Sequence, residues 1–98
     1  MFDQLKNFMD VQKKLKEVKE QLGRTTFSVA SADGLVTITM NGSQEIQALE
    51  LGSRPQEIDK ARLEAALKDA MSRAVKRSQE VAAQKMREVT GIKLPGQD

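Results

Sequence analysis

Gly34-Leu35-Val36-Thr37-Ile38-Thr39-Met40-Asn41-Gly42 is the stretch on which the fold turns. Its interior is dominated by β-branched side chains, which fit a pleated, half-buried surface better than a helix. Asp33-Gly34 before it and Asn41-Gly42 at its end are turn signals. Asn41-Gly42 predicts a type I′ hairpin, whose two central residues need positive φ. Upstream, Thr25-Thr26-Phe27-Ser28-Val29-Ala30 alternates β-branched or aromatic residues with small ones, the period of a strand. Downstream, a third strand from about Ser43 to Leu51 sets Ile46, Leu49 and Leu51 among polar neighbours. The alternation slips between Ile46 and Leu49, which predicts a bulge. Residues of about 25–51 therefore read as a three-stranded antiparallel meander.

Helices flank the meander on both sides, making the chain α+β. Over residues 2–22, Phe8, Val11, Leu15, Val18 and Leu22 alternate steps of three and four, the a/d pattern of a heptad, with Gly23 placed as a stop. Gly52-Ser53-Arg54-Pro55 breaks the last strand. A second helix of about 57–89 follows, starting at Glu57 or Asp59 and capped by Asp59 or Ser53, with its inward face traced through Leu63, Leu67, Ala70, Met71, Ala74, Val81, Ala82, Met86 and Val89. Gly91 ends it, and residues 90–98 are expected to form a mobile tail. Ninety-eight residues suffice for one domain, spanning 1–98.

Composition removes whole classes of chemistry. With no Cys and no His there are no thiol nucleophiles, disulfides, imidazole bases or thiolate metal sites. No Gly-rich phosphate loop or nucleophile elbow is present. Glu17 with Glu20, or Glu57 with Asp59, lie on polar helix turns that imply no pocket. No catalytic residue, cofactor or metal is expected. No apolar run approaches the roughly 20 residues that span a bilayer, and the N-terminus lacks a signal peptide's apolar core, so the cytoplasm is the default compartment.

Geometry points to a homodimer. A helix of about 30 residues is about 45 Å long, whereas a strand of six or seven covers about 20–23 Å. Part of the helix must project beyond its own sheet, and a three-stranded sheet leaves two edges that invite pairing across a two-fold axis. Aromatics are scarce, with only Phe2, Phe8 and Phe27, which fits a thin core completed by a second subunit.

In order and spacing, these elements resemble the YbaB/EbfC family of small bacterial nucleoid-associated proteins. Gly34 to Gly42 is similar to that family's G-L-V-x-V-x-x-x-G hairpin. Leu63-Glu64-Ala65-Ala66-Leu67-Lys68-Asp69-Ala70 matches the start of its long helix. Gln84-Lys85-Met86, Thr90-Gly91 and Leu94-Pro95-Gly96 resemble its helix end and L-P-G tail. The resemblance implies an intertwined dimer whose helices protrude like tweezers and hold duplex DNA, with limited sequence preference, in the nucleoid. Two features depart from the pattern: the first helix is Lys-rich rather than dominated by Met and Gln, and the usual Gly-rich run is reduced to Ser31-Ala32-Asp33.

Charge supplies candidate contacts. Residues 25–53 hold three acids and no base, while residues 1–24 hold six bases and four acids, and residues 54–98 ten bases and seven acids. Arg73, Lys76 and Arg77, spaced i, i+3 and i+4, form one basic patch. Lys13, Lys14 and Lys16 form a second, with Lys6 and Lys19 near it. In a dimer such patches meet phosphates on both sides of a duplex. The plainer alternative is a solvated face tied by Asp69–Arg73 and Arg73–Glu80 contacts. Scarce aromatics disfavour single strands, which are held by stacking on exposed rings, and mixed charge signs disfavour a membrane surface. A different class stays open: a dimeric adaptor whose helical arms clamp a protein partner.

Overall fold

A computed structural model describes residues 2–91. Most of the expected tail lies outside the described residues; within them Thr90 ends a helix and Gly91 caps it. The element order is α1 (Phe2–Arg24), β1 (Thr26–Ala30), β2 (Val36–Asn41), β3 (Ile46–Leu51), a 3-10 turn (Pro55–Glu57) and α2 (Lys60–Thr90). The strands form an antiparallel meander in the order β1-β2-β3. The fold is α+β, as the sequence predicts.

Strand register puts the apolar side chains on one face. Val29 stands opposite Ile38 and Phe27 opposite Met40, while Val36, Ile38 and Met40 stand opposite Leu51, Leu49 and Ile46. The register shifts after Thr39: Ala48 faces Thr39 and Ile46 faces Met40, so Gln47 is the extra residue of the expected bulge. α2 lies over this face, chiefly on β1 and β2. Ala66, Ala70 and Ala74, one per helical turn, are buried against Val36, Ile38 and Met40. Three alanines in a row let the helix axis approach the sheet closely. Leu63 and Leu67 close the flanks.

Two helix ends follow the expected chemistry and one does not. The Asp59 carboxylate accepts from Arg62 N at 3.2 Å, and Gly91, at φ 72°, donates to Arg87 O at 2.8 Å. Helix α2 therefore begins just after Asp59, the later of the two expected starts, with Asp59 as its cap. α1 runs through Gly23 instead of stopping there. Its last carbonyls are satisfied by tertiary contacts: Leu22 O accepts from Gly42 N at 3.0 Å and Gly23 O from Asn41 Nδ2 at 3.2 Å. No left-handed glycine is needed.

The Asn41-Gly42 turn also departs from expectation. Positive φ falls on Gln44 (65°), and Gly42 is not in the left-handed region. Glycine is required at 42 by crowding instead, since a Cβ there would lie 2.7 Å from Leu22 Cδ2 and 3.1 Å from Leu22 O. The true left-handed turn glycine is Gly34, at φ 75°.

The molecule is elongated, 66 × 25 × 16 Å. α1 approaches the 41–45 turn and α2 passes the same turn at Ser78, so beyond that level the two run antiparallel as a projecting arm, with Val18 and Val81 buried. Some apolar positions of these helices stay uncovered within one chain. Met71 is 48% exposed rather than inward, Phe8 is 59% exposed, and Val11 and Leu15 are likewise exposed. Only Val18 and Leu22 of the first heptad pack within the chain.

Candidate nucleic-acid interface

The two basic groups occupy different levels of the molecule. Arg73, Lys76 and Arg77 leave α2 within an arc of about 100°, at the base of the arm. Lys13, Lys14 and Lys16 sit on the projecting part of α1. Lys14 lies eight residues before Leu22, about 12 Å farther out at 1.5 Å per residue. The chain thus presents two separate patches rather than one.

Their ion pairing differs. Arg73 Nε lies 3.0 Å from Asp69 Oδ1 and 3.1 Å from Oδ2. Arg77 reaches Glu80 at 3.3 Å. The expected Asp69–Arg73 contact is present, but Glu80 pairs with Arg77 rather than Arg73. Among the described residues, Lys76, Lys13, Lys14 and Lys16 are exposed and make no ion pair. Exposed pairs of the Arg73 kind are weak because water screens them, so a phosphate can displace them at modest cost. The unpaired lysines face no such competition.

Sequence reasoning does not foresee a third cluster, because it depends on tertiary contact. Asp69 accepts from the Ala32 backbone N–H at 2.8 Å, docking the β1–β2 loop on α2. Within that loop, Asp33 accepts from the Ser31 hydroxyl at 2.7 Å and from Leu35 N at 3.0 Å, and Arg62 Nε lies 3.4 Å away. The Ser31 hydroxyl bond, helped by the Leu35 amide and Arg62, holds the Asp33 carboxyl below its ordinary pKa. The Ala32 amide, then Arg73, does the same for Asp69. One carboxylate therefore both anchors a loop and restrains a candidate phosphate ligand.

Apolar surface is exposed in two places. Ile46 (50%) and Leu49 (47%) are half uncovered on the inner face of β3, which α2 leaves largely bare, and Met71 and Val75 emerge from α2 on the flank opposite Asp69. Along the arm, Leu5, Phe8, Met9, Val11 and Leu15 form a second exposed strip. Among the described residues, no group of three or more His, Cys, Asp or Glu side chains is placed to hold a metal ion, and no helix is long and apolar enough to cross a membrane.

Comparison with known proteins agrees with this architecture. The model of the YbaB/EbfC DNA-binding family matches residues 1–92. A nucleoid-associated protein of Synechocystis is 39% identical over 87 residues, covering 88% of this chain and 76% of the relative. One from Anaeromyxobacter is 35% identical over 88 residues, covering 88% and 85%. The crystal structure of an uncharacterized Helicobacter pylori protein superposes with a TM-score of 0.70 at 26% identity, covering 82% of this chain and 86% of that one.

Proposed function

Because this chain belongs to the YbaB/EbfC DNA-binding family, we propose that it is a nucleoid-associated protein that binds duplex DNA as a homodimer, gripping phosphates between helical arms. The observation that carries this reading is the set of exposed lysines on the projecting arm, Lys13, Lys14 and Lys16, which have no ion-pair partner among the described residues. Lys76 adds a fourth, and Arg73 and Arg77 join after exchanging Asp69 and Glu80 for phosphate. Such contacts position a protein on DNA without reading bases, so sequence preference is limited. A role in nucleoid organisation or gene expression follows from binding of that kind, in the cytoplasm, by a single domain spanning 1–98 with no catalytic step.

Dimerisation is supported by what one chain leaves uncovered. β3 is an edge strand whose apolar side chains Ile46 and Leu49 are half exposed. Unpaired edges of this kind favour addition of another strand or helix, and pairing across a two-fold axis there covers Ile46 and Leu49.

A gel-shift titration with random-sequence duplex at two salt concentrations tests the reading. Affinity should fall steeply with salt on every sequence alike, because binding releases condensed counterions. Salt-independent or absent binding sinks it. The exposed strip from Leu5 to Leu15 favours a second reading, an adaptor whose arms clamp a protein. That reading gains if the purified protein, free of nucleic acid, retains one stoichiometric partner and ignores DNA.

A further inference from the structure

One short turn holds both helices of the arm. Asn41, 2% exposed at the end of β2, donates from Nδ2 to Gly23 O of α1 at 3.2 Å, and its Oδ1 accepts from the Ser43 and Glu45 amides at 3.0 Å each. Next to it, the Gly42 amide donates to Leu22 O at 3.0 Å. On the other side, Gln44, held at φ 65°, donates from Nε2 to the Ser78 hydroxyl at 2.9 Å. Ser78 is 1% exposed and donates its own hydroxyl proton to Val75 O at 2.6 Å.

Two physical points single out this cluster. A serine hydroxyl bonded to the preceding turn of its own helix is a place where helices bend, and Ser78 stands where α2 leaves the sheet. A non-glycine residue in the left-handed region is uncommon and persists only when its surroundings fix it; Gln44 is fixed through its backbone by Asn41 O, which its amide reaches at 3.0 Å, and through its side chain by Ser78. Helix α1 barely touches the sheet except through this turn. Apart from the cluster, the arm is joined to the body by the continuity of α2, by the α1–β1 crossing, where the Thr25 hydroxyl donates to Gln21 O at 2.7 Å, and by Leu22 packed on Gly42.

We infer that Gln44 and Ser78, braced by Asn41, are positioning residues that set the angle between arm and sheet and thereby the fit of the arms to DNA. The inference rests on the DNA-binding reading above. An arm free to swing spends part of its time at angles that miss the phosphates, and apparent affinity falls by the fraction competent. If that fraction drops to between a third and a tenth, affinity weakens about three- to tenfold, while the number of phosphate contacts, and so the salt slope, stays as it was.

The absence of cysteine makes the test direct. Ala30→Cys on β1 and Asn7→Cys on α1, both exposed positions, carry spin labels on the full-length chain, diluted into unlabelled protein so that only distances within one chain are read. Gln44→Met, Ser78→Ala and the double variant are compared with the parent by electron–electron resonance and by gel shift. Gln44 is exposed, so its replacement leaves folding intact even if the Ser78 variant does not. Support is a broader or shifted distance distribution in Gln44→Met, matched by Ser78→Ala and not increased in the double variant, with weaker binding at unchanged salt slope. An unchanged distribution in Gln44→Met overturns the inference, as does a changed distribution with unchanged affinity. Failure of the parent protein to bind duplex defeats the underlying function instead, and is seen before any substitution is made.

Discussion

Replacing Lys13, Lys14 and Lys16 together by alanine separates the two basic patches. All three side chains are exposed and unpaired among the described residues, so the change breaks no ion pair, and alanine suits a helix. Removing one phosphate interaction lowers the salt slope by about 0.9, giving about 2.7 per arm. Between about 50 and about 200 mM salt the logarithm of concentration changes by about 0.6, so each arm's salt sensitivity should shrink about 40-fold. The matching Arg73, Lys76 and Arg77 alanine variant should change less. Arg73 and Arg77 already hold Asp69 and Glu80 at 3.0 and 3.3 Å, and phosphate binding there is offset by the pairs it breaks. Fluorescence anisotropy on a random duplex across a salt series reads both slopes. A parental slope in the α1 variant refutes the assignment of these lysines, and a larger drop in the α2 variant reverses the ranking.

Other perturbations test the scaffold. Gly42→Ala should destabilise by about 1–3 kcal/mol through overpacking against Leu22, whereas Gly34→Asn, at φ 75° with open space around its Cβ position, should cost much less; equal shifts in denaturation midpoint refute the distinction. Asp33 and Asp69 have folded-state pKa values below the ordinary carboxylate range, so their stabilisation is complete above about pH 4 and is lost as pH falls through the lowered values. Asp69→Asn should flatten that acid limb of the stability curve, and an unaltered limb argues against the loop anchor. Sedimentation should give twice the 10.9 kDa chain mass, shifting toward the monomer in Leu49→Glu; a parent that sediments as a folded monomer removes the two-fold arrangement.

Local patterns are legible in the sequence wherever one residue's neighbours in the chain decide its fate. The β-branched run from Val36 to Thr39, the Asp59 cap, the bulge at Gln47 and the Gly91 cap all follow from such neighbours. The errors share a cause. Local rules end a helix at Gly23 and give Gly42 a positive φ, yet each answers to a partner far away in the chain, Asn41 and Leu22 respectively. The heptad of α1 predicts a continuous buried face, but α2 covers only the part near Val18 and Leu22. Asp69 is legible as an ion-pair partner of Arg73 four residues on. Its bond to the Ala32 amide is not, since thirty-seven residues separate them.

Charge in this protein is layered. The residues of 25–53, which form the sheet and its turns, contain three acids and no base, whereas residues 54–78, which lead into α2 and cross one face of that sheet, contain seven bases and four acids. Glu50 on β3 and Glu45 in the turn before it, set against these bases, give the body an electric dipole. In the field of a polyanion, such a dipole experiences a torque before any contact is made, turning the helical side inward and the outer face of the sheet away. Encounters in the wrong orientation are rejected at a distance, which raises the association rate more than it slows dissociation. The effect fades as added salt shortens the Debye length. On the DNA-binding reading proposed above, Asp33, Glu45 and Glu50 thus act on the encounter at a distance: they make the body a compass needle for the arms it carries.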